Sequence, residues 1–158
     1  MFHAFAVNKY LQDLNYEDVN NFKLAQVDGK VVICEWEYEI DPPDISNLDE
    51  RQLRIDFGIA QIRRVRNDIL DMTDKFLLPD SPVAPLNRTN ILIPYRQSLR
   101  DITTNIRNGS LETPIVGDDM KVSNRANIFP VIPTMPGNYL KFIQARYRWM
   151  RYAGDFSK

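Results

Sequence analysis

Hydrophobic and polar positions divide the chain into three differently patterned stretches. Over the first 21 residues two periods compete. Val7, Leu11 and Leu14 are spaced as on a helix, whereas Phe2, Ala4 and Ala6 alternate as in a strand, so helix and strand both remain open. The next stretch, FKLAQVDGKVVICEWEYEI, carries a clear period of two. Asp28-Gly29 supplies residues that tolerate positive φ at both centres of a type I′ turn. The arm that follows, Lys30 to Ile40, is rich in β-branched and aromatic residues. Alternation places Val32, Cys34, Trp36, Tyr38 and Ile40 on one face, expected inward, and Glu35, Glu37 and Glu39 on the other, facing water or a basic partner. Asp41-Pro-Pro-Asp44 ends the arm, because proline cannot donate to a ladder.

From Ser46 the period becomes helical. Ser46 is the expected cap, with Asp49 three residues on in place of the usual Glu of a capping box. Leu48, Ile55, Ile59, Ile62, Ile69 and Phe76 form one stripe, and Leu53, Phe57, Ala60 and Leu70 a second row. Such a helix spans roughly 30 residues, or about 45 Å at 1.5 Å per residue. Gly58 is its weak point and a place where it could break in two. LPDSPVAP reads as a turn-rich loop. A second helix is expected from near Asn90, with Pro94 in or near its first turn; Tyr95, Leu99, Ile102 and Ile106 make its stripe and Asn108-Gly109 its stop. Residues 108–137 are rich in turn formers and read as an irregular loop holding at most one short strand. Asn138 can then cap a last helix, YLKFIQARYRWMRYA, ended by Gly154.

These elements predict an α+β protein: an N-terminal β-hairpin or small antiparallel sheet, a long-helix hairpin and a C-terminal helix. The expected divisions are a β-rich module over residues 1–45, a helical hairpin over 46–107, and a loop with an aromatic basic helix over 108–158. Stacked on one another, the two long helices would bury the Ile59/Ile62/Ile69/Phe76 stripe against Tyr95/Leu99/Ile102/Ile106.

Charge adds a polarity. Residues 1–60 hold 12 acids and 5 bases, and residues 138–158 hold 5 bases and 1 acid, although the whole chain is at −1. The near-zero total gives no global field favouring nucleic acid or membrane, while the asymmetry suits head-to-tail contact between ends or between subunits. One cysteine, Cys34, excludes an internal disulfide and reads as a small buried hydrophobe; one histidine, His3, excludes a multi-histidine metal site. No run approaches the ~20 apolar residues of a spanning helix. The opening MFHAFAVNKY lacks the charged and apolar regions of a secretion signal, so a cytoplasm, or a particle assembled in one, is the expected location.

Recognisable catalytic motifs are missing: there is no glycine-rich phosphate loop, HExxH, CxxC or GxSxG. Asp118-Asp119 is the best carboxylate pair for a Ca²⁺ or acid/base site, but its flanks lack Ca²⁺-loop spacing. The expectation is therefore a non-enzyme without metal or cofactor; a small hydrolase or nuclease using Asp118 and Asp119 is the alternative. The basic aromatic last helix, with Tyr147, Arg148, Trp149, Arg151 and Tyr152, has the residue types that anchor protein interfaces. Single-strand nucleic-acid binding is the weaker reading of that composition.

Three stretches in order, RRVRNDILDMTDKFLLPDSP (63–82), YRQSLRDI (95–102) and FPVIPTMP (129–136), resemble the signatures of the phage tail assembly chaperone, or tail fibre assembly, family. Arg63, Arg66, Asn67, Leu70, Thr73, Asp74, Leu78, Pro79 and Asp80 match the first signature, and Tyr95, Arg96, Gln97, Leu99, Arg100, Asp101 and Ile102 the second. The resemblance covers about residues 55–137. Lys75-Phe76 stands where the family has a tryptophan, the tail motif lacks its leading Trp, and an extended C-terminus follows. The resemblance implies a phage tail protein that binds a tail fibre or baseplate component, acting as a chaperone in the host cytoplasm or as an adaptor retained in the virion tail, with self-association a further option. Arg63, Arg66, Arg96 and Arg100 are candidate partner-binding residues alongside Tyr147, Arg148, Trp149, Arg151 and Tyr152. Asp74, Pro79, Asp80 and Asp101 are expected to lock the loop between the helices, paired with arginine forks.

Overall fold

The computed structural model describes residues 2–154 and has an α+β architecture, a two-stranded antiparallel sheet followed by long helices. Two compact units divide the chain, Met1–Phe57 and Gly58–Lys158.

In the first unit the N-terminal ambiguity resolves as helix α1, His3–Asp13, with Val7 and Leu11 fully buried. Asn15 ends it in the left-handed region at φ 63°, while Tyr16 N–H reaches back to the Leu11 carbonyl at 3.0 Å and Asn15 N–H to that of Gln12 at 2.9 Å. These paired bonds satisfy carbonyls that the helix end would orphan. Strands β1 (Phe22–Val27) and β2 (Lys30–Trp36) form the expected hairpin, with Asp28 at φ 50° and Gly29 at φ 77° in the turn.

The expected inward face of β2 is half wrong, for a definite reason. Leu24 pairs with Ile33 but Lys23 pairs with Glu35, so Cys34 is the extra residue of a bulge. One inserted residue exchanges the two faces. Val31 and Ile33 point inward before it, Trp36, Tyr38 and Ile40 after it, and Val32 and Cys34 are exposed. Cys34 is thus a surface thiol, not a buried hydrophobe. Glu35, Glu37 and Glu39 are exposed as expected. The inward residues close over Val7, Leu11 and Ile45.

Helix α2 runs without a break from Glu50 to Thr73. Its cap is Asp49, whose Oδ1 accepts the Gln52 N–H at 3.2 Å; Ser46 instead donates its N–H and hydroxyl to Asp44 Oδ1, at 2.9 and 2.6 Å. The helix therefore starts three residues later than the Ser46 cap implied. Within the first unit its opening turns place Phe57 edge-on to Phe2 and Phe5. Gly58 is not a break: a Cβ there would lie 2.6 Å from Pro114 Cβ, so glycine is what lets residues 114–116 press against α2.

In the second unit α2 leads into a 3₁₀ turn, Asp74–Leu77, and then to a helical run that starts earlier than expected. The run comprises α3 (Pro85–Asn87), one π turn (Arg88–Leu92) and α4 (Ile93–Arg107). Pro94 lacks the N–H that an unbroken helix would need there, and the widened turn just before it accommodates the proline ring. Tyr95, Leu99, Ile102 and Ile106 are all buried, as their spacing predicts, and Gly109 ends the helix at φ 82°. Phe76 packs its ring on Tyr139 and Phe142.

Residues 108–137 are irregular but contribute Val116, Val122, Ile128, Phe129, Ile132 and Met135 to the core, through a bridge between Val116 and Val122 and a short helix α5 (Arg125–Ile128). The long C-terminal helix is not formed. Positive φ at Gly137 (89°) and Asn138 (54°) removes the Asn138 cap, and α6 spans only Lys141–Arg146. Beyond it the chain pairs with Ile132: Ile132 N–H donates to the Arg151 carbonyl at 2.9 Å and Ala153 N–H to the Ile132 carbonyl at 2.7 Å. Backbone pairing with Ile132, distant in the sequence, thus replaces the helix suggested by local composition.

Candidate functional site

The C-terminal end of α2 is built around one arginine. Arg96, on α4, is 3% exposed. Its Nη1 donates to the Leu70 carbonyl at 2.7 Å and to the Thr73 hydroxyl, and its Nη2 pairs with Asp74 Oδ1. Thr73, fully buried, in turn donates to the Ile69 carbonyl at 2.9 Å. The last carbonyls of a helix have no partners within it, and a guanidinium fork both satisfies one and complements the negative end of the helix dipole. Arg96 was a candidate for partner binding; its burial and its three internal acceptors make it the lock instead. Asp74, expected to lock the loop, is that arginine's carboxylate partner.

Asp80, Pro79 and Asp101 do not lock the loop. Pro79 and Asp80 are exposed at the loop's outer turn, and Asp101 accepts from Gln97 Nε2 at 2.9 Å along its own helix. The turn is closed by residues that periodicity could not single out. Ser81 donates its hydroxyl to the Phe76 carbonyl at 3.0 Å, and Arg88 donates to Ser81 Oγ at 3.3 Å and to the Val83 carbonyl at 3.2 Å. Leu78 of the loop and Leu86 of α3 are exposed, at 54% and 74%.

Of the other candidates, Arg63, Arg100, Arg148 and Arg151 are exposed. Arg66 is half-buried, donates from Nε to Asn67 Oδ1 at 3.0 Å, and has its pKa lowered by burial and then by the neighbouring charge of Arg63. Tyr147 hydrogen-bonds Asp68, which also pairs with Arg146 Nε at 2.8 Å. Burial first, and the Asp68 bond second, raise the Tyr147 phenol's pKa; the Tyr147 bond and then the Asp68 charge raise that of Arg146. Trp149 packs edge-on to Phe129 with the Arg125 guanidinium over its ring, and Tyr152 is 6% exposed. Tyr152 is therefore core, and Tyr147 and Trp149 are half-buried and packed within the chain; of the C-terminal set Arg148 and Arg151 are the fully exposed members.

Arg63, Arg64, Asp68, Asp71, Arg146 and Tyr147 line an open groove along α2. Elsewhere, Asp119 Oδ1 accepts the Lys121 N–H at 3.1 Å, closing its own turn. Among the described residues no group of three or more His, Cys, Asp or Glu could hold a metal ion, and no helix is long and apolar enough to cross a membrane. Compared with protein-family models, curated proteins and solved structures, the chain has no match.

Proposed function

We propose that the chain is a phage tail protein that grips another polypeptide, a tail fibre or baseplate component, either as an assembly chaperone in the host cytoplasm or as an adaptor retained in the virion tail. One observation carries this reading. The two stretches that resemble the tail-assembly signatures interlock, Thr73 and Asp74 of the first receiving Arg96 of the second. Matched motif residues far apart in sequence thus form one structural unit. An interlocked unit with Leu78 displayed on its loop, Leu86 on α3, and Arg148 and Arg151 on the C-terminal segment suits protein binding, since apolar and arginine side chains carry much of interface energy. The hydrolase alternative is weaker, because Asp119 is committed to its turn.

The test is co-expression with the tail fibre and baseplate proteins of the same phage, followed by affinity capture. Wild type is expected to retain one of them, and Arg148→Glu with Arg151→Glu to lose it with an unchanged circular dichroism melt. Capture of no tail component by the wild type overturns the reading. Mass spectrometry of purified particles separates its two forms, since a chaperone is absent from the mature virion and an adaptor present.

A further inference from the structure

The two compact units carry opposite charge. Residues 1–57 hold 12 acids and 5 bases, and residues 58–158 hold 9 acids and 15 bases, balances of −7 and +6. Part of each excess lies on a surface that can be named. On the first unit, Glu37, Glu39, Asp41 and Asp44 project from an irregular segment, residues 37–44, that contains no base. All four are exposed and none is in an ion pair among the described residues; Lys23, paired with Glu35 at 2.7 Å just before the segment, also interacts with the charge of Glu37. The backbone beneath is held in place. Trp36 Nε1 donates to the Ile40 carbonyl at 2.6 Å, Tyr10 Oη to that of Asp41 at 3.0 Å, and Pro42-Pro43 restrict the remainder. The segment is a pre-organised acidic rail, which lowers the ordering cost of binding.

On the second unit, the α2 groove supplies the complement. Asp68, one of its lining residues, is neutralised by Arg146 and bonded to Tyr147. Arg63 and Arg64 also line it, exposed and with no carboxylate in ion-pair range among the described residues; Asp71 is its other acid.

We propose that this groove is an interface for a second copy of the same chain, which docks its acidic segment 37–44 against Arg63 and Arg64. A copy offers one rail and one groove, two different surfaces, so the contact is heterologous and associates copies head to tail. Arginine forks on carboxylates give it direction, and net charge near zero leaves little overall repulsion between copies. The inference stands apart from the tail reading, whose test uses other residues and other proteins.

Sedimentation velocity of the full chain decides it. At about 10 mM salt the wild type should sediment faster as its concentration rises, and at about 1 M salt, where the Debye length falls to roughly 3 Å, it should be monomeric. Arg63→Glu with Arg64→Glu, and separately Glu37→Lys with Glu39→Lys and Asp41→Lys, should each be monomeric at low salt with melts close to wild type. Mixing the two variants restores a complementary rail and groove, so complexes should return. A wild type that is monomeric at low salt overturns the proposal. So does association that survives the reversals, or reversed variants that stay apart when mixed.

Discussion

Buried polar atoms set the outcome residue by residue. Tyr95 and Arg96 are neighbours on α4 with opposite fates. Arg96 distributes its guanidinium over the Leu70 carbonyl, Thr73 and Asp74, so a charge costly to bury is largely compensated. Tyr95 is 5% exposed and its hydroxyl has no hydrogen-bond partner among the described residues. Burial lifts the phenol's pKa above the ordinary 10.0. Above that value the unfolded chain releases a proton that the folded chain keeps, so the tyrosine contributes a loss of stability as pH rises. Tyr95→Phe removes the stranded hydroxyl and keeps the ring. Urea unfolding at neutral pH should show a gain of about 1–3 kcal/mol, and the fall in stability above the ordinary tyrosine value should become shallower. A loss of stability on this substitution would mean that the hydroxyl has a partner. Arg96 illustrates how a site residue hides in a sequence. In YRQSLRDI it is one of two arginines among polar neighbours, and what separates buried Arg96 from exposed Arg100 is a set of acceptors more than 20 residues away.

Elements that close on local chemistry were legible. The Asp28-Gly29 hairpin, the buried stripe of α4 and its Gly109 stop all follow from residues within a few positions of one another. Elements set by distant partners were not. The Cys34 bulge inverts half of β2's expected face, and pairing of residues 151–153 with Ile132 cuts short a helix favoured by composition. Gly58 belongs to this second kind, since intrinsic propensity marks it as a defect while tertiary packing makes it a requirement. In an exposed helix interior, replacing glycine by alanine gains about 1 kcal/mol. Here the added methyl would sit 2.6 Å from Pro114 Cβ and 3.0 Å from Val116 Cγ2. Proline's ring cannot rotate away, so Gly58→Ala should cost about 1–3 kcal/mol through overpacking, read as a lower urea midpoint. An unchanged or higher midpoint would show that residues 114–116 are free to withdraw.

Across the whole molecule, the uneven charge noticed in the sequence lines up with the division of the chain. A balance of −7 up to Phe57 changes to +6 from Gly58 onward, and the net −1 conceals both. Much of the positive side is uncommitted: Arg63, Arg64, Arg100, Arg148 and Arg151 are exposed and have no carboxylate in ion-pair range among the described residues. A protein of this net charge with its charges evenly mixed would adhere weakly to any ion exchanger. Separated patches behave differently, because a resin engages the surface facing it and screening hides the remainder beyond about 10 Å at 0.1 M salt. At neutral pH and low salt the chain should therefore be retained on anion and cation exchangers alike. Arg148→Gln with Arg151→Gln should lower the salt needed to elute it from the cation exchanger and leave its elution from the anion exchanger nearly where it was. Opposite shifts of equal size on the two resins would mean that they sense net charge alone, and that the two excesses do not form separate surfaces.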